Sequence, residues 1–165
     1  MYLSVPHSNA LVITLRIANY NVKQILVDTG SLADILFMQP YLKMGLKPSS
    51  LEPMRDPLIA FNGSQAVLAG WITLPVRAGE ETILTEFIVM DLPSPYNAIL
   101  GHTWLGPMNA IPSTYHQKLC FLTSHGIMEI QGDQSVARRC YAIATSSKAK
   151  AKKQHGGEDD IHPKR

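Results

Sequence analysis

The chain has 165 residues, a formal net charge of +2, a hydrophobic fraction of 45% and a charged fraction of 17%. This length fits one domain followed by a tail, and the apolar content is sufficient for a packed core. A net charge so near zero argues against a nucleic-acid partner, whereas the low charged fraction favours a largely buried or self-associating surface.

The first predicted elements form a hairpin that ends in an acidic residue. Apolar side chains alternate along Leu11–Ile17, which predicts a strand with one buried face. Residues 18–21 contain two asparagines and predict a turn, because Asn tolerates left-handed backbone. Val22–Val27 then returns as a second strand, and Asp28 follows it directly.

The segment after this hairpin is predicted to be irregular or partly helical. Between Ser31 and Met44, apolar side chains recur at roughly helical spacing, and Gly45 is a typical helix stop. Pro40 limits any helix to a short piece on either side of it. The proline-rich segment 47–57 is predicted to be a loop.

Short strands and tight turns dominate the remaining sequence. Asn62-Gly63 is the strongest short hairpin signal in the chain. The elements predicted around and after it are strands at 58–61, 66–76 and 82–90, an apolar run 96–101 ending in glycine, a short helix at 103–109, and a hairpin pairing 119–122 with 127–130. This pattern indicates an all-β fold, a closed or partly closed barrel with one or two short helices.

Regular structure is predicted to fade after Gly132. From Ser146 onward the residues are mainly Ser, Ala, Lys, Gly, Glu and Asp, which cannot form a core, and the late lysines read as a solvated tail. We therefore divide the chain into an N-terminal segment 1–10, a domain 11–132 and a flexible basic and polar C-terminal tail 133–165.

The cysteines and the hydropathy pattern indicate which cellular compartment and which cofactors to expect. Cys120 and Cys140 do not make a disulfide framework, which favours a reducing compartment. A zinc site needs about four convergent ligands, and His116, Cys120 and His125 have no second pair at ligand spacing, so no metal is expected. Because the sequence shows neither a signal-peptide pattern nor an apolar run of roughly 18 residues, we expect a cytoplasmic, intracellular protein without a membrane partner.

The order of several motifs resembles one protein family. Asp28-Thr29-Gly30 alone is a weak signal, but a β-run precedes it, a glycine-containing hairpin follows, and Ala98–Gly101 lies further on. With these motifs in this order, the chain resembles the retropepsin-like aspartic protease domain of plant gypsy-type LTR retrotransposon polyproteins. The matching stretches are 26–36, 59–63 with 72–76, 96–105 and 111–119, and 132–141 resembles the segment that follows the protease in these polyproteins.

The resemblance implies a catalytic role for Asp28, Thr29 and Gly30. Two carboxylates flanking one water share a proton, so that one acts as base and the other polarises the scissile carbonyl. Because the chain has one such tripeptide, both carboxylates would be Asp28, one from each protomer of a homodimer. Thr29 would bond the partner's backbone, and Gly30 would let the substrate approach. No metal or organic cofactor is implied.

The resemblance also implies substrate-binding and supporting residues. The implied substrate-binding residues are Ser31, Asp34, Phe61, Asn62 and Gly63. Asn62 and Gly63 would form the tip region of a flap that closes over the peptide, and the Ser31 hydroxyl would bond the catalytic carboxylate. Asp34 either binds substrate backbone or caps the following helix, the cap being favoured.

The resemblance further implies residues that support the Asp28 loop, and an activity. Ile99, Leu100 and Gly101 would pack behind the Asp28 loop. His102 stands where the family commonly has an arginine that braces this loop, and Ala60 where many relatives have glycine. The implied function is an aspartic endopeptidase that processes a retrotransposon polyprotein, cutting extended apolar segments. The alternatives are a catalytically inactive fold that serves as a dimerisation or peptide-binding module, or a fragment of a decayed reading frame.

Overall fold

Two sheets organise the part of the chain that the computed structural model describes, residues 10–54 and 68–146. Six strands close into a barrel, and three later strands form a separate antiparallel sheet. The elements are β1 Leu11–Ile17, β2 Tyr20–Val27, β3 Asp34–Phe37, α1 Met38–Lys43, a 3-10 turn Pro48–Ser50, β4 Leu68–Ala78, β5 Glu81–Met90, β6 Ala98–Leu100, α2 His102–Met108, β7 Ile111–Ser113, β8 Lys118–Thr123 and β9 Gly126–Gln131, with a final helix α3 at 134–146.

The predicted all-β architecture is confirmed, and β1 has the predicted bounds. Its inward side chains form part of the barrel core, while Thr14 and Arg16 are exposed. The turn into β2 uses Ala18 rather than an asparagine for its left-handed residue, at φ 53°. The Ala18 amide donates to the Pro75 carbonyl at 2.8 Å, which ties this turn to the neighbouring strand β4.

The strand order around the barrel is β1-β2-β6-β3-β5-β4. The short strand β6 therefore lies between β2 and β3, parallel to the first and antiparallel to the second. The chain leaves β2 at Val27 and enters β3 at Asp34, so the connecting residues 28–33 must cross the end of β6. This crossing positions the candidate site.

The structure corrects the prediction for residues 31–44. Strand β3, which the sequence did not predict, is paired with β5 and β6. Helix α1 is confined to Met38–Lys43. Pro40 is tolerated there because it lies in the first turn, where a backbone N–H has no partner within the helix.

The structure also corrects the predicted start of the C-terminal tail. Residues 134–146 are helical, and Ala137 and Cys140 are completely buried. The Asp133 carboxylate accepts the Val136 amide at 3.1 Å and so caps this helix. The Asp133 amide donates to the Val12 carbonyl at 2.8 Å, which fixes the start of α3 against β1. Across 10–54 and 68–146, no helix is long and apolar enough to cross a membrane.

Candidate active site

Asp28 stands where β2 ends, and backbone hydrogen bonds fix its position. Its amide donates to the Leu100 carbonyl at 2.9 Å, and its own carbonyl accepts the Ser31 amide at 3.1 Å. The half-buried Asp28 side chain also accepts the Gly30 amide through Oδ1 at 2.9 Å. The carboxylate is therefore held by a tight local turn while part of it stays accessible.

The rest of the loop is fastened to the start of α2. The His102 amide donates to the Ser31 carbonyl at 2.9 Å, and the Thr103 hydroxyl donates to the Leu32 carbonyl at 2.9 Å. Thr103 is not among the site residues predicted from the sequence. Its only signal was a hydroxyl residue at the second position after Gly101.

Gly101 marks the point of closest approach between the loop and β6. A Cβ atom built on Gly101 would lie 2.7 Å from the Ala33 carbonyl oxygen and even closer to the Ser31 carbonyl oxygen. Real Cβ contacts do not reach such distances, so only glycine fits here. Ile99 lies between β2 and β3, paired with Leu26 and Ile35. Leu100 is completely buried. This places the predicted supporting residues behind the Asp28 loop.

Asp34 differs from both sequence-based interpretations. It is not a helix cap, because α1 begins at Met38 and its N-cap position is Phe37, which makes no side-chain capping bond. Asp34 is also only 1% exposed, which leaves no surface for a substrate. Its Oδ1 instead accepts the Gly101 amide at 2.7 Å. The side chain thus joins β3 to the junction of β6 and α2.

Burial dominates the electrostatics of Asp34. Desolvation raises the pKa of its carboxyl from 3.8 to about 6, although the backbone amides of Gly101 and Trp104 favour the charged form and lower the pKa. Oδ2 has no hydrogen-bond partner among the residues described. An ionised carboxylate with one bare buried oxygen is costly, which explains the direction of the shift.

Ser31 does not make the predicted bond to the Asp28 carboxylate. Its Oγ donates to the Ala33 carbonyl at 2.7 Å. A hydroxyl has a single proton to donate, so in this arrangement that proton is not available to Asp28. The Ser31 side chain helps to shape the loop.

Thr29 and Gly30 lie on the surface. Thr29 lines an open groove of about 460 Å³ whose other walls come from α2 and the residues that follow it, His102, Leu105, Gly106, Asn109, Ala110, Ile111 and Pro112. Within 10–54 and 68–146, the Thr29 hydroxyl makes no hydrogen bond and the exposed His102 side chain makes no ion pair. In a single copy, the His102 side chain therefore does not brace the Asp28 loop through an ion pair with any described residue.

Three predicted site residues, Phe61, Asn62 and Gly63, lie outside the described residues, as does the whole of the predicted strand 58–61. Among the residues that are described, no group of three or more His, Cys, Asp or Glu side chains is arranged to hold a metal ion.

Solved structures with a similar fold are protease-like domains. The chain resembles the retroviral protease-like domain of Ddi1 from Leishmania major at a TM-score of 0.58 and 18% identity, over 75% of this chain and 94% of that one. A retropepsin-like aspartic protease from Rickettsia conorii gives 0.48 and 20%, over 72% and 79%. The EIAV protease, solved with the inhibitor HBY-793, gives 0.47 and 16%, over 67% and 99%.

No family model and no curated protein matches the sequence. The likeness to the Leishmania domain, together with the six-stranded barrel, shows a retropepsin-like all-β fold. At 18% identity, this likeness concerns the fold alone.

Proposed function

We propose that this chain is an aspartic endopeptidase domain that acts as a homodimer, with Asp28 from each copy forming one catalytic dyad. The observation that carries the proposal is the setting of Asp28. Its carboxylate is half-buried and part of it stays accessible, while the surrounding loop is held by bonds to β6 and α2. The fold likeness to protease-like domains supports the same reading.

The chemistry follows from bringing two Asp28 carboxyls together. At close range they cannot both ionise, so they share one proton. The ionised carboxylate takes a proton from a water molecule, and the water oxygen attacks the scissile carbonyl carbon while the protonated partner donates to the carbonyl oxygen. Breakdown of the tetrahedral intermediate breaks the C–N bond, and a carboxyl returns a proton to the leaving amine.

Thr29 and Gly30 have complementary parts in this proposal. The Thr29 hydroxyl, exposed and without a hydrogen bond in the described region, bonds the backbone of the second copy beside the dyad. Gly30 carries no side chain, so the substrate backbone can approach the carboxylates. An isologous dimer places the same pair of contacts on both sides of the twofold axis.

The proposed substrate is an extended, apolar polypeptide segment, bound as an added strand beneath a flap that includes Phe61, Asn62 and Gly63. We further propose that the substrate belongs to a retrotransposon polyprotein and that processing occurs in the cytoplasm. These finer statements rest on the motif resemblance, which extends over roughly residues 8–143.

The test is cleavage of a mixed peptide library by the purified chain between about pH 4 and pH 7, with and without a pepstatin-type inhibitor. We expect inhibited cleavage, and a loss of about 10³-fold or more in Asp28→Asn, because the dyad acts as a unit. Asp91→Asn is the matched control, since Asp91 is an exposed carboxylate at the end of β5. An Asp28→Asn variant that cuts at the parent rate would overturn the proposal.

A second function is favoured by one observation. The exposed His102 side chain, which stands in place of a bracing arginine, makes no ion pair with any described residue. In that case the domain is a non-catalytic dimerisation or peptide-binding module. Absence of cleavage at concentrations where ultracentrifugation shows a dimer would support this function.

A further inference from the structure

A second carboxyl lies behind the Asp28 loop, and the proposed chemistry does not use it. Asp34 is the first residue of β3 and is 1% exposed. It makes no salt bridge within the described parts of the chain. A buried carboxyl without a cation is costly to keep, so the hydrogen bonding of the Asp34 carboxyl needs an explanation.

The Asp34 side chain accepts a hydrogen bond from a closely packed backbone position, Gly101. Asp34 Oδ1 accepts the Gly101 amide at 2.7 Å. The Gly101 carbonyl accepts the amides of Trp104 and Leu105 at 3.2 and 3.0 Å and so begins α2. Gly101 also lies against the Ser31 and Ala33 carbonyls without room for a Cβ. A shift of Gly101 would therefore move both α2 and the Asp28 loop.

We propose that Asp34 is a positioning residue for the catalytic loop: its carboxyl holds the Gly101 junction against residues 28–33 and thereby fixes where Asp28 meets the Asp28 of a second copy. The catalytic part of this inference rests on the proposed function. The structural part, control of the Gly101 junction by the Asp34 carboxyl, does not depend on catalysis.

The grip of Asp34 on Gly101 depends on pH. An ionised oxygen accepts an amide hydrogen bond more strongly than the oxygen of a neutral acid. Burial raises the pKa of Asp34 to about 6, and the groups that face the carboxyl and oppose this shift are the Gly101 and Trp104 amides; no titratable side chain contributes to it. The hold on the junction therefore changes within the pH range in which the dyad would be assayed.

Two substitutions at Asp34 distinguish the loss of the hydrogen-bond acceptor from the loss of the ionisable group. Asp34→Asn keeps a side-chain oxygen for the Gly101 amide and removes the titration, whereas Asp34→Ala removes the acceptor. In NMR spectra of the parent chain, we expect the Gly101 amide shift to titrate with a midpoint near pH 6. The titration should vanish in Asp34→Asn and persist in Asp28→Asn. Hydrogen exchange at Gly101 should accelerate by about tenfold in Asp34→Ala.

Steady-state kinetics of peptide cleavage measure the effect of the Asp34 substitutions on catalysis. We expect Asp34→Ala to lower kcat by about tenfold or more with KM changed less than about twofold, because a misplaced loop impairs the transition state more than peptide binding. Asp34→Asn should recover most of kcat at acidic pH and lack the inflection near pH 6 in the parent profile.

Failure of the Asp34 inference can be distinguished from failure of the proposed function. A Gly101 amide that does not titrate in the parent, or an Asp34→Asn profile that keeps the inflection near pH 6, would overturn the inference. If the parent cuts no peptide, the proposed function fails, while the Gly101 titration still decides whether Asp34 holds the junction. If Asp34→Ala does not fold, the comparison of Asp34→Asn with the parent carries the test.

Discussion

At the scale of single residues, Gly101 occupies the crossing between the Asp28 loop and β6. A Cβ there would press against two backbone carbonyl oxygens, those of Ser31 and Ala33. Backbone cannot swing aside as a flexible side chain does. We therefore expect Gly101→Ala to lower the free energy of unfolding by about 2–4 kcal/mol, measured by urea denaturation.

Gly106 is the matched control for this substitution. It lies within α2, only five positions further along, and a Cβ built on it meets nothing within 4 Å. Because alanine has the higher helix propensity, Gly106→Ala should stabilise the chain by up to about 1 kcal/mol. Equal effects of the two substitutions would show that the crossing does not need glycine.

Burial of the Asp34 carboxyl makes the free energy of unfolding depend on pH. Its folded-state pKa is raised from 3.8 to about 6, so between these values the native chain binds more protons than the unfolded chain. The stability contributed by the neutral carboxyl is complete below about pH 4 and is lost as pH rises through about 6. Relative to Asp34→Asn, the parent should lose about 2 kcal/mol of unfolding free energy between pH 4 and pH 8. Urea titrations at both pH values measure it, and a constant difference would contradict it.

The position of Asp28 at the end of a strand could be predicted from the sequence, whereas the burial and contacts of Asp34 could not. The reason is physical. Asp28 directly follows an alternating apolar strand, so local pattern is enough to place it at a strand end. The burial of Asp34 depends on pairing with Phe87 and on the amide of Gly101, which lie far along the chain. A pattern among neighbouring residues does not predict contacts with residues so far along the chain.

At the scale of elements, alternation predicted the long strands and failed on the short ones. Strand β1 and the β8–β9 hairpin follow their predicted positions closely. Strand β3 has only four residues, and its apolar side chains fit a helical spacing equally well. Helix α3 was missed because a polar, lysine-rich stretch follows it, although Asp133 ahead of Val136 is an N-cap signal.

Helix α3 provides a test of its own. Ala137 is completely buried and Arg138 beside it is exposed. Ala137→Asp should detach the helix, because a charge cannot be buried there without a partner. In a Cys120→Ser background, the buried Cys140 thiol should then react with a thiol reagent at least about tenfold faster. Arg138→Asp should leave the thiol protected, and an unreactive Cys140 in Ala137→Asp would show that the helix does not depend on this contact.

At the scale of the whole molecule, each barrel carries one Asp28 carboxylate, and the proposed chemistry requires two. Activity should therefore rise with the square of chain concentration while monomers predominate, and linearly once dimers form. This dependence is measured by dilution in the peptide assay. A strictly linear rise at all concentrations would contradict assembly from two copies, unless ultracentrifugation shows dimers throughout.

Mixing the parent chain with variant chains is a second test of whether activity requires two copies of Asp28. With a ninefold excess of Asp28→Asn, at concentrations where ultracentrifugation shows mainly dimers, random pairing leaves about one tenth of the parent chains in parent–parent dimers, so cleavage should fall about tenfold. A ninefold excess of Asp91→Asn, whose Asp28 is intact, should increase cleavage instead. Unchanged cleavage with excess Asp28→Asn would indicate that one copy is sufficient.

The placement of β6 between β2 and β3 also sets an order of events during synthesis. The hairpin of β1 and β2 can pair as soon as residue 27 has emerged, but the strand that separates β2 from β3 arrives only at residues 98–100, and the anchoring amide and hydroxyl follow at His102 and Thr103. Such distant pairings form slowly. A nascent chain that has not emerged as far as Thr103 therefore lacks the partners that fix Asp28, and the loop can become competent only after most of the barrel has been made.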